Sequence, residues 1–202
     1  MTQIAEADEQ LLLWINDLVG EWPLLDSLMR LMVNDYFIPV SLTLLLLGLW
    51  FMGKNRIQRD AHQVAVLTAT ASVGITSAVV KIINLFYDAE RPFEKMPELV
   101  ETANRIFYLP TDPSFPCNAA AITFTIAAGI WTGNRKLAVV AFIGAGLMSF
   151  ARVYAAVHYP LDILGGMIIG LICLYFTQRV IMPLIQPLIN PMLEIGKKLS
   201  LA

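Results

Sequence analysis

Two short segments of the chain contain side chains whose types and spacing suit chemistry on a phosphate group. Arg152, His158 and Asp162 follow one another at spacings of six and then four positions, and Arg91 precedes Pro92 in an earlier segment. Arginine presents a planar fork of N–H donors that matches phosphate oxygens. Histidine attacks as a nucleophile when a neighbouring group orients it, and positions 158 and 162 share a face at a helix start. These residues predict an oxyanion site.

Each of these side chains also has an ordinary structural interpretation. Arg91 and Arg152 suit the anchoring of helix ends at a membrane interface. His158 suits a surface position, and Asp162 suits the N-cap of a helix. The joint spacing favours the chemical interpretation, because anchoring alone requires neither the histidine nor the carboxylate.

A third segment, 113–119, carries the sequence PSFPCNA and opens an apolar stretch. The backbone N–H groups at the start of a helix favour an anion. We therefore expect Cys117, Asn118 and Ala119 to contribute to phosphate binding through their backbone.

The composition predicts a membrane protein. Apolar residues make up 57% of the 202 residues and charged residues 15%, against about 25% charged in soluble domains. A net charge of −2 argues against nucleic acid as a partner. Two cysteines, Cys117 and Cys173, do not form a disulfide framework. Scattered carboxylates with one histidine near them do not form a ligand cluster, so we expect no metal and no cofactor.

Hydropathy predicts an all-α fold with about five transmembrane helices, of which the third is marginal in length. The predicted spans are 36–52, 63–86, 115–131, 137–150 and 163–181. Residues 1–34 resemble a pair of short amphipathic helices that lie in the interface, with a buried packing role as the alternative. Residues 183–202, which contain several prolines, are predicted to be a broken interfacial helix on the cytoplasmic side.

Basic residues predict the orientation of the spans. They cluster after the first span, after the third and near the C-terminus: Lys54, Arg56, Arg59, Arg135, Lys136, Arg179, Lys197 and Lys198. Five spans place all three clusters in the cytoplasm. The N-terminus and the loops 87–114 and 153–161, which carry the candidate site, then lie outside the plasma membrane.

The motifs at 91–93 (RPF), 114–116 (SFP) and 158–162 (HYPLD) resemble those of the type 2 phosphatidic acid phosphatase superfamily. Within it they look most like the bacterial undecaprenyl-diphosphatase branch. The resemblance implies that 35–182 is a transmembrane phosphatase-like domain that works through a phosphohistidine. It implies that His158 attacks phosphorus and that Asp162 orients His158. It also implies that Arg91 and Arg152 hold the phosphoryl oxygens.

Two family positions depart from the pattern. The lysine of the first motif is replaced by Asn84, although Lys81, about one helical turn deeper, has a stem long enough to reach upward. The histidine of the second motif, which protonates the leaving group, is replaced by Ala119. The chain's other histidine, His62, begins the second span on the opposite side of the membrane.

The missing acid bears on the choice of substrate. A lipid alcohol needs a proton to depart, whereas a phosphate monoester, with a second pKa of about 6, can leave unprotonated. This chemistry favours diphosphates over monophosphates, and together with the resemblance it implies a lipid phosphatase that cleaves a polyprenyl (undecaprenyl-type) diphosphate. The alternative is a catalytically impaired relative that binds a phosphorylated lipid or serves as a membrane-complex subunit.

Overall fold

The computed structural model describes residues 3–187, and within them the chain forms helices joined by turns and one long loop. The α-helices are α1 (Gln3–Asn16), α2 (Pro23–Val33), α3 (Phe37–Phe51), α4 (Arg56–Phe86), α5 (Pro92–Lys95), α6 (Val100–Ile106), α7 (Asn118–Gly133), α8 (Arg135–Tyr154) and α9 (Pro160–Phe176). A 3₁₀ turn (Pro97–Leu99) precedes α6, and a π-helical turn (Thr177–Ile181) follows α9. The predicted all-α class is confirmed.

The predicted count of five spans is not confirmed. Within residues 3–187, three helices are long and apolar enough to cross a membrane: α4, α8 and the continuous helix Pro160–Pro187. A fourth results if α2 and α3, which meet at a bend of 57°, form one broken span. The predicted third span corresponds to α7, whose 16 residues extend about 24 Å, less than a hydrocarbon core of about 30 Å.

The two ends of the chain differ from their predictions in detail. α1 buries Leu12 and Ile15 against the bundle and leaves Trp14 67% exposed. Packing and exposure therefore coexist in one helix, and an interfacial position for 1–34 stays a prediction. At the other end, Pro183 does not break the helix, which continues to residue 187. The rest of the predicted tail, 188–202, lies outside the described residues.

α7 lies at the centre of the bundle and packs against α3, α4, α8 and α9. Small residues let the backbones approach closely, as is usual between membrane helices. A Cβ added to Gly166 would overlap the carbonyl oxygen of Cys117, and one added to Gly170 would overlap that of Ala121. The α7–α9 contact therefore depends on two glycines one helical turn apart, and it fixes the starts of both helices side by side.

We expect Gly170→Ala to destabilise the protein by about 1–3 kcal/mol, because the added methyl group overpacks this contact. Gly146→Ala in α8 is the matched control, since a Cβ there meets nothing within 4 Å and alanine favours a helix by up to about 1 kcal/mol. Thermal unfolding midpoints in detergent provide the measurement. Equal midpoints for the two variants would contradict the close packing of α7 on α9.

The ends of four helices meet at one end of the bundle. α4 ends there and α7 begins there, and α8 ends where α9 begins. The connection between α7 and α8 lies at the other end, where the Asn134 side chain accepts hydrogen bonds from the backbone N–H groups of Lys136 and Leu137 and so caps α8. The described members of the three basic clusters belong to segments at that other end: Lys54, Arg56, Arg59, Arg135, Lys136 and Arg179. The candidate site and the basic clusters therefore lie at opposite ends.

Candidate active site

A cavity of about 290 Å³ lies where these helix ends meet. Arg91, Arg152, His158, Asn118 and Ala119 all line it. The structure thus brings together residues from the end of α8, the starts of α5 and α7, and the turn before α9. Two arginines around one histidine make the cavity suitable for an anion.

His158 is buried, and both of its ring nitrogens have neighbours. Nδ1 lies 2.9 Å from the backbone oxygen of Ser114, to which it can donate. Nε2 lies 3.3 Å from Nη1 of Arg91. This arrangement fits the neutral tautomer with its proton on Nδ1, which leaves the Nε2 lone pair on the side of Arg91. The turn that carries His158 includes Ala156 at φ 53°, a left-handed conformation that costs a non-glycine residue about 1–2 kcal/mol.

Asp162 does not hydrogen-bond His158 directly. Its Oδ2 lies 3.7 Å from Nδ1 of His158, beyond hydrogen-bonding distance. The same oxygen accepts from Ser114 Oγ at 2.5 Å and from the backbone N–H of Tyr159 at 2.8 Å. Asp162 therefore caps α9 and holds Ser114, whose carbonyl in turn orients His158. The sequence prediction included Asp162 but gave Ser114 no role.

The surroundings of His158 act on its pKa in opposite directions. Burial lowers the pKa of His158, whereas the Cys117 sulfur and the Asp162 carboxylate raise it, and the net pKa lies above the usual value. A neutral nucleophilic nitrogen is therefore favoured only at higher pH than for an ordinary histidine. Any reaction that uses this nitrogen should slow as the pH falls below the raised pKa.

Arg91 is held almost rigidly. Its Nε donates to the backbone oxygen of Asp112 at 2.8 Å, and Nη1 donates to the backbone oxygen of Val157 at 2.7 Å. Its Nη2 donates to Asp112 Oδ1 at 2.9 Å. The side chain is only 1% exposed, so the guanidinium is preorganised beside His158.

Arg152 is also buried, but it forms fewer hydrogen bonds than Arg91. Its Nη2 forms an ion pair with Asp35, and its guanidinium lies 5.0 Å from the ring centroid of Phe107. Its Nε is buried and finds no hydrogen-bond partner among residues 3–187. Unpaired buried donors are rare.

The sequence offers Asp112 and Tyr154 as alternative proton donors, and of these two Asp112 lines the cavity. The Tyr154 hydroxyl lies outside the lining and donates to Asp26 Oδ1 at 2.6 Å. Asp35, which precedes α3, and Tyr108, in the loop before α7, also line the cavity and were not selected from the sequence. Their position next to helix ends does not distinguish them from other loop residues.

Two predicted phosphate-binding residues lie elsewhere. Lys81 is exposed on α4 and does not line the cavity. Cys117 is fully buried, and its backbone N–H donates to the Asp162 carbonyl oxygen at 3.1 Å. Asn84, in the lysine position of the first motif, can donate from its amide to the Phe115 carbonyl oxygen at 3.1 Å. The first-motif position therefore supports the 113–119 loop through an amide rather than supplying a cation.

The fold and the site define a helical integral membrane protein with a cavity lined by two arginines and a histidine at one end of the bundle. Residues 64–185 match the model of the PAP2 superfamily. The chain belongs to this family of membrane lipid phosphatases, and the predicted resemblance is confirmed.

Several relatives are named for one activity. Undecaprenyl-diphosphatase BcrC of Bacillus subtilis (strain 168) is 26% identical over 172 residues, which are 85% of this chain and 82% of that protein. Putative undecaprenyl-diphosphatase YbjG of Escherichia coli (strain K12) is 27% identical over 165 residues, which are 78% of this chain and 74% of that protein. Both alignments cover most of each chain.

Two solved structures share the fold. The transmembrane PAP2 type phosphatidylglycerolphosphate phosphatase from Bacillus subtilis superposes with a TM-score of 0.59 at 20% identity, covering 88% of this chain and 86% of that one. Aquifex aeolicus LpxE superposes with a TM-score of 0.59 at 25% identity, covering 84% of this chain and 93% of that one. The overall helical fold is therefore shared with these two proteins.

Proposed function

We propose that this protein hydrolyses a polyprenyl diphosphate of the undecaprenyl type through a phosphohistidine on His158. The observation that carries the proposal is the position of His158, with Nδ1 anchored at 2.9 Å to Ser114 and Nε2 against Arg91. The names of the relatives support the substrate class. The cavity, at about 290 Å³, suits the diphosphate headgroup, with the polyprenyl chain remaining in the bilayer.

The reaction proceeds in two displacements. His158 Nε2 forms a bond to the terminal phosphorus while the bond from that phosphorus to the bridging oxygen breaks, and the lipid monophosphate leaves with the electron pair. Water then attacks the phosphohistidine, loses a proton to solvent, and releases inorganic phosphate and the neutral imidazole. Arg91 and Arg152 stabilise the charge on the phosphoryl oxygens during both steps.

The leaving group determines which substrates suit this site. An alkoxide has a conjugate acid with a pKa of about 15.7, similar to that of water, so a monophosphate ester requires a proton donor. A departing phosphate monoester has a second pKa of about 6 and leaves without one. Ala119 lines the cavity where the family pattern has histidine, so the proposed site suits diphosphates.

Ala119 also favours the second candidate, a member that binds a phosphorylated lipid without hydrolysing it or acts within a membrane complex. Phosphate release from a polyprenyl diphosphate by the purified protein in detergent separates the two. Sustained phosphate release that co-purifies with the protein supports the first candidate, the enzyme. Binding of the lipid diphosphate without turnover supports the second candidate and rejects the first.

We propose further that the cavity faces outside the plasma membrane, that the N-terminus lies outside and that the C-terminus lies in the cytoplasm. The basic clusters at the opposite end of the bundle support this orientation. Cysteines placed at the exposed positions Glu101 and Lys54 test it, because both native cysteines are buried. An impermeant maleimide should label Glu101→Cys in intact cells and Lys54→Cys only after lysis, and the reverse pattern would invert the orientation.

Ser114 is proposed as the positioning residue between Asp162 and His158. We expect Ser114→Ala to lower kcat about tenfold or more, the scale of one hydrogen bond to a charged group, with little change in KM. Ser114→Thr, which keeps the hydroxyl, should retain more activity. Ser149→Ala is the control, because its buried hydroxyl has no hydrogen-bond partner among the described residues. A kcat for Ser114→Ala equal to that of the control would reject this role.

A further inference from the structure

We propose that Asp35 and Asp112 compete with phosphate groups for Arg152 and Arg91. They thereby weaken the binding of inorganic phosphate and favour the release of this product. This inference rests on the proposed function, since the phosphate is released from the same cavity. The two carboxylates come from separate segments, and Asp35 lies before residue 64, where the match to the family model begins.

Asp35 is fixed beside Arg152 by two partners. One carboxylate oxygen pairs with Nη2 of Arg152, and the other accepts from the hydroxyl of Tyr108 at 2.8 Å. The Asp35 side chain is 38% exposed, whereas that of Arg152 is 6% exposed. A buried guanidinium thus faces a carboxylate that forms part of the cavity wall.

Asp112 has the corresponding position beside Arg91. Two donors of Arg91 are committed to backbone oxygens of Asp112 and Val157, and these bonds do not depend on the Asp112 carboxylate. Nη2 is the donor group that the carboxylate occupies, at 2.9 Å. A phosphate that approaches Arg91 through Nη2 must therefore displace the carboxylate or lie beside it.

Charge sets the direction of this competition. A phosphate beside either carboxylate meets a like charge, which opposes binding, and solvent screening reduces this effect most at Asp112, the more exposed of the two. A phosphate that binds both arginines must displace both carboxylates, and each carboxylate can return to its arginine when the phosphate leaves. The carboxylates therefore favour release of the inorganic phosphate product.

The test measures binding without turnover. Isothermal titration in detergent measures the binding of inorganic phosphate to the unmodified protein, Asp35→Asn and Asp112→Asn. Each amide removes the charge and keeps the shape. We expect Asp35→Asn to tighten phosphate binding about tenfold, the scale of one charge-assisted hydrogen bond. Asp112 is 62% exposed, so solvent screening predicts a smaller change for Asp112→Asn.

Glu101→Gln is the matched control, because it removes an exposed carboxylate from α6 that does not line the cavity. It should leave the phosphate affinity unchanged. Unchanged or weaker phosphate binding in both aspartate variants would overturn the proposal. Binding of phosphate by no variant would overturn it as well. The two variants lie in separate segments, so misfolding of one leaves the other as a test. Binding that responds as expected without any turnover would instead reject only the proposed hydrolysis.

Discussion

Alanine in place of His158 is expected to reduce phosphate release from a polyprenyl diphosphate by about 10⁴-fold or more, because the nucleophile of a covalent mechanism is lost. His158 is the histidine whose ring lies in the cavity, with Nε2 3.3 Å from Arg91. The substitution leaves Arg91 bound to Asp112 and Val157. The anion-binding cavity should therefore persist, so that binding of the lipid diphosphate survives while turnover does not.

His62→Ala is the matched control for this experiment. His62 is partly buried near the start of α4, where its Nδ1 lies 2.9 Å from the Met52 carbonyl oxygen, at the end of the bundle opposite the cavity. Its removal should leave the rate of phosphate release within about twofold, as for surface substitutions that change stability little. More than a tenth of the original rate in His158→Ala would show that another group attacks phosphorus.

Histidine in place of Ala119 is expected to raise the rate of lipid monophosphate cleavage by up to about 10²–10⁴-fold, the usual contribution of a general acid. Ala119 lies in the first turn of α7, lines the cavity with His158, and is only partly buried. An imidazole there can protonate the departing alkoxide. Diphosphate cleavage should change much less, because its leaving group departs without a proton.

Ala119→Gln is the control for the size and polarity of the new side chain, since it supplies no acid at neutral pH. The rates of both variants are measured with a monophosphate and a diphosphate of the same alcohol. The resemblance implies a serine of the second motif where this chain has Cys117, which is fully buried. The companion change Cys117→Ser supplies a stronger hydrogen-bond donor if the new imidazole needs support. Equal rates for Ala119→His and Ala119→Gln would contradict the leaving-group explanation.

The sequence predicts the centre of the site because its residues are tied to helix ends. Arg91 follows α4, Arg152 ends α8 and His158 precedes α9, so an antiparallel bundle necessarily brings them to one end. The pairing of Asp35 with Arg152 and of Asp112 with Arg91 was not predicted, because the partners lie 117 and 21 positions apart along the chain. Such pairs depend on how loops fold over the helices, which periodicity does not encode.

The same distinction explains the helix count. Apolar runs predict that α3 and α7 are helical, and both are, over 15 and 16 residues. Whether such short helices span depends on tilt, on neighbours and, for α3, on its bend with α2. The N-terminal helices show a further limit of sequence patterns: Asp8 of α1 accepts from the backbone N–H of Leu161 at 3.0 Å, a contact across 153 positions next to the site.

The central claim is that a histidine nucleophile works here without a leaving-group acid, and the ratio of two rates tests it most directly. The unmodified protein is assayed for kcat/KM on a polyprenyl diphosphate and on the monophosphate of the same alcohol. We expect the diphosphate to be cleaved faster by about 10²-fold or more, the contribution of the missing acid. Equal values would contradict the account and show that another group in the cavity, such as Asp112 or Tyr108, donates the proton.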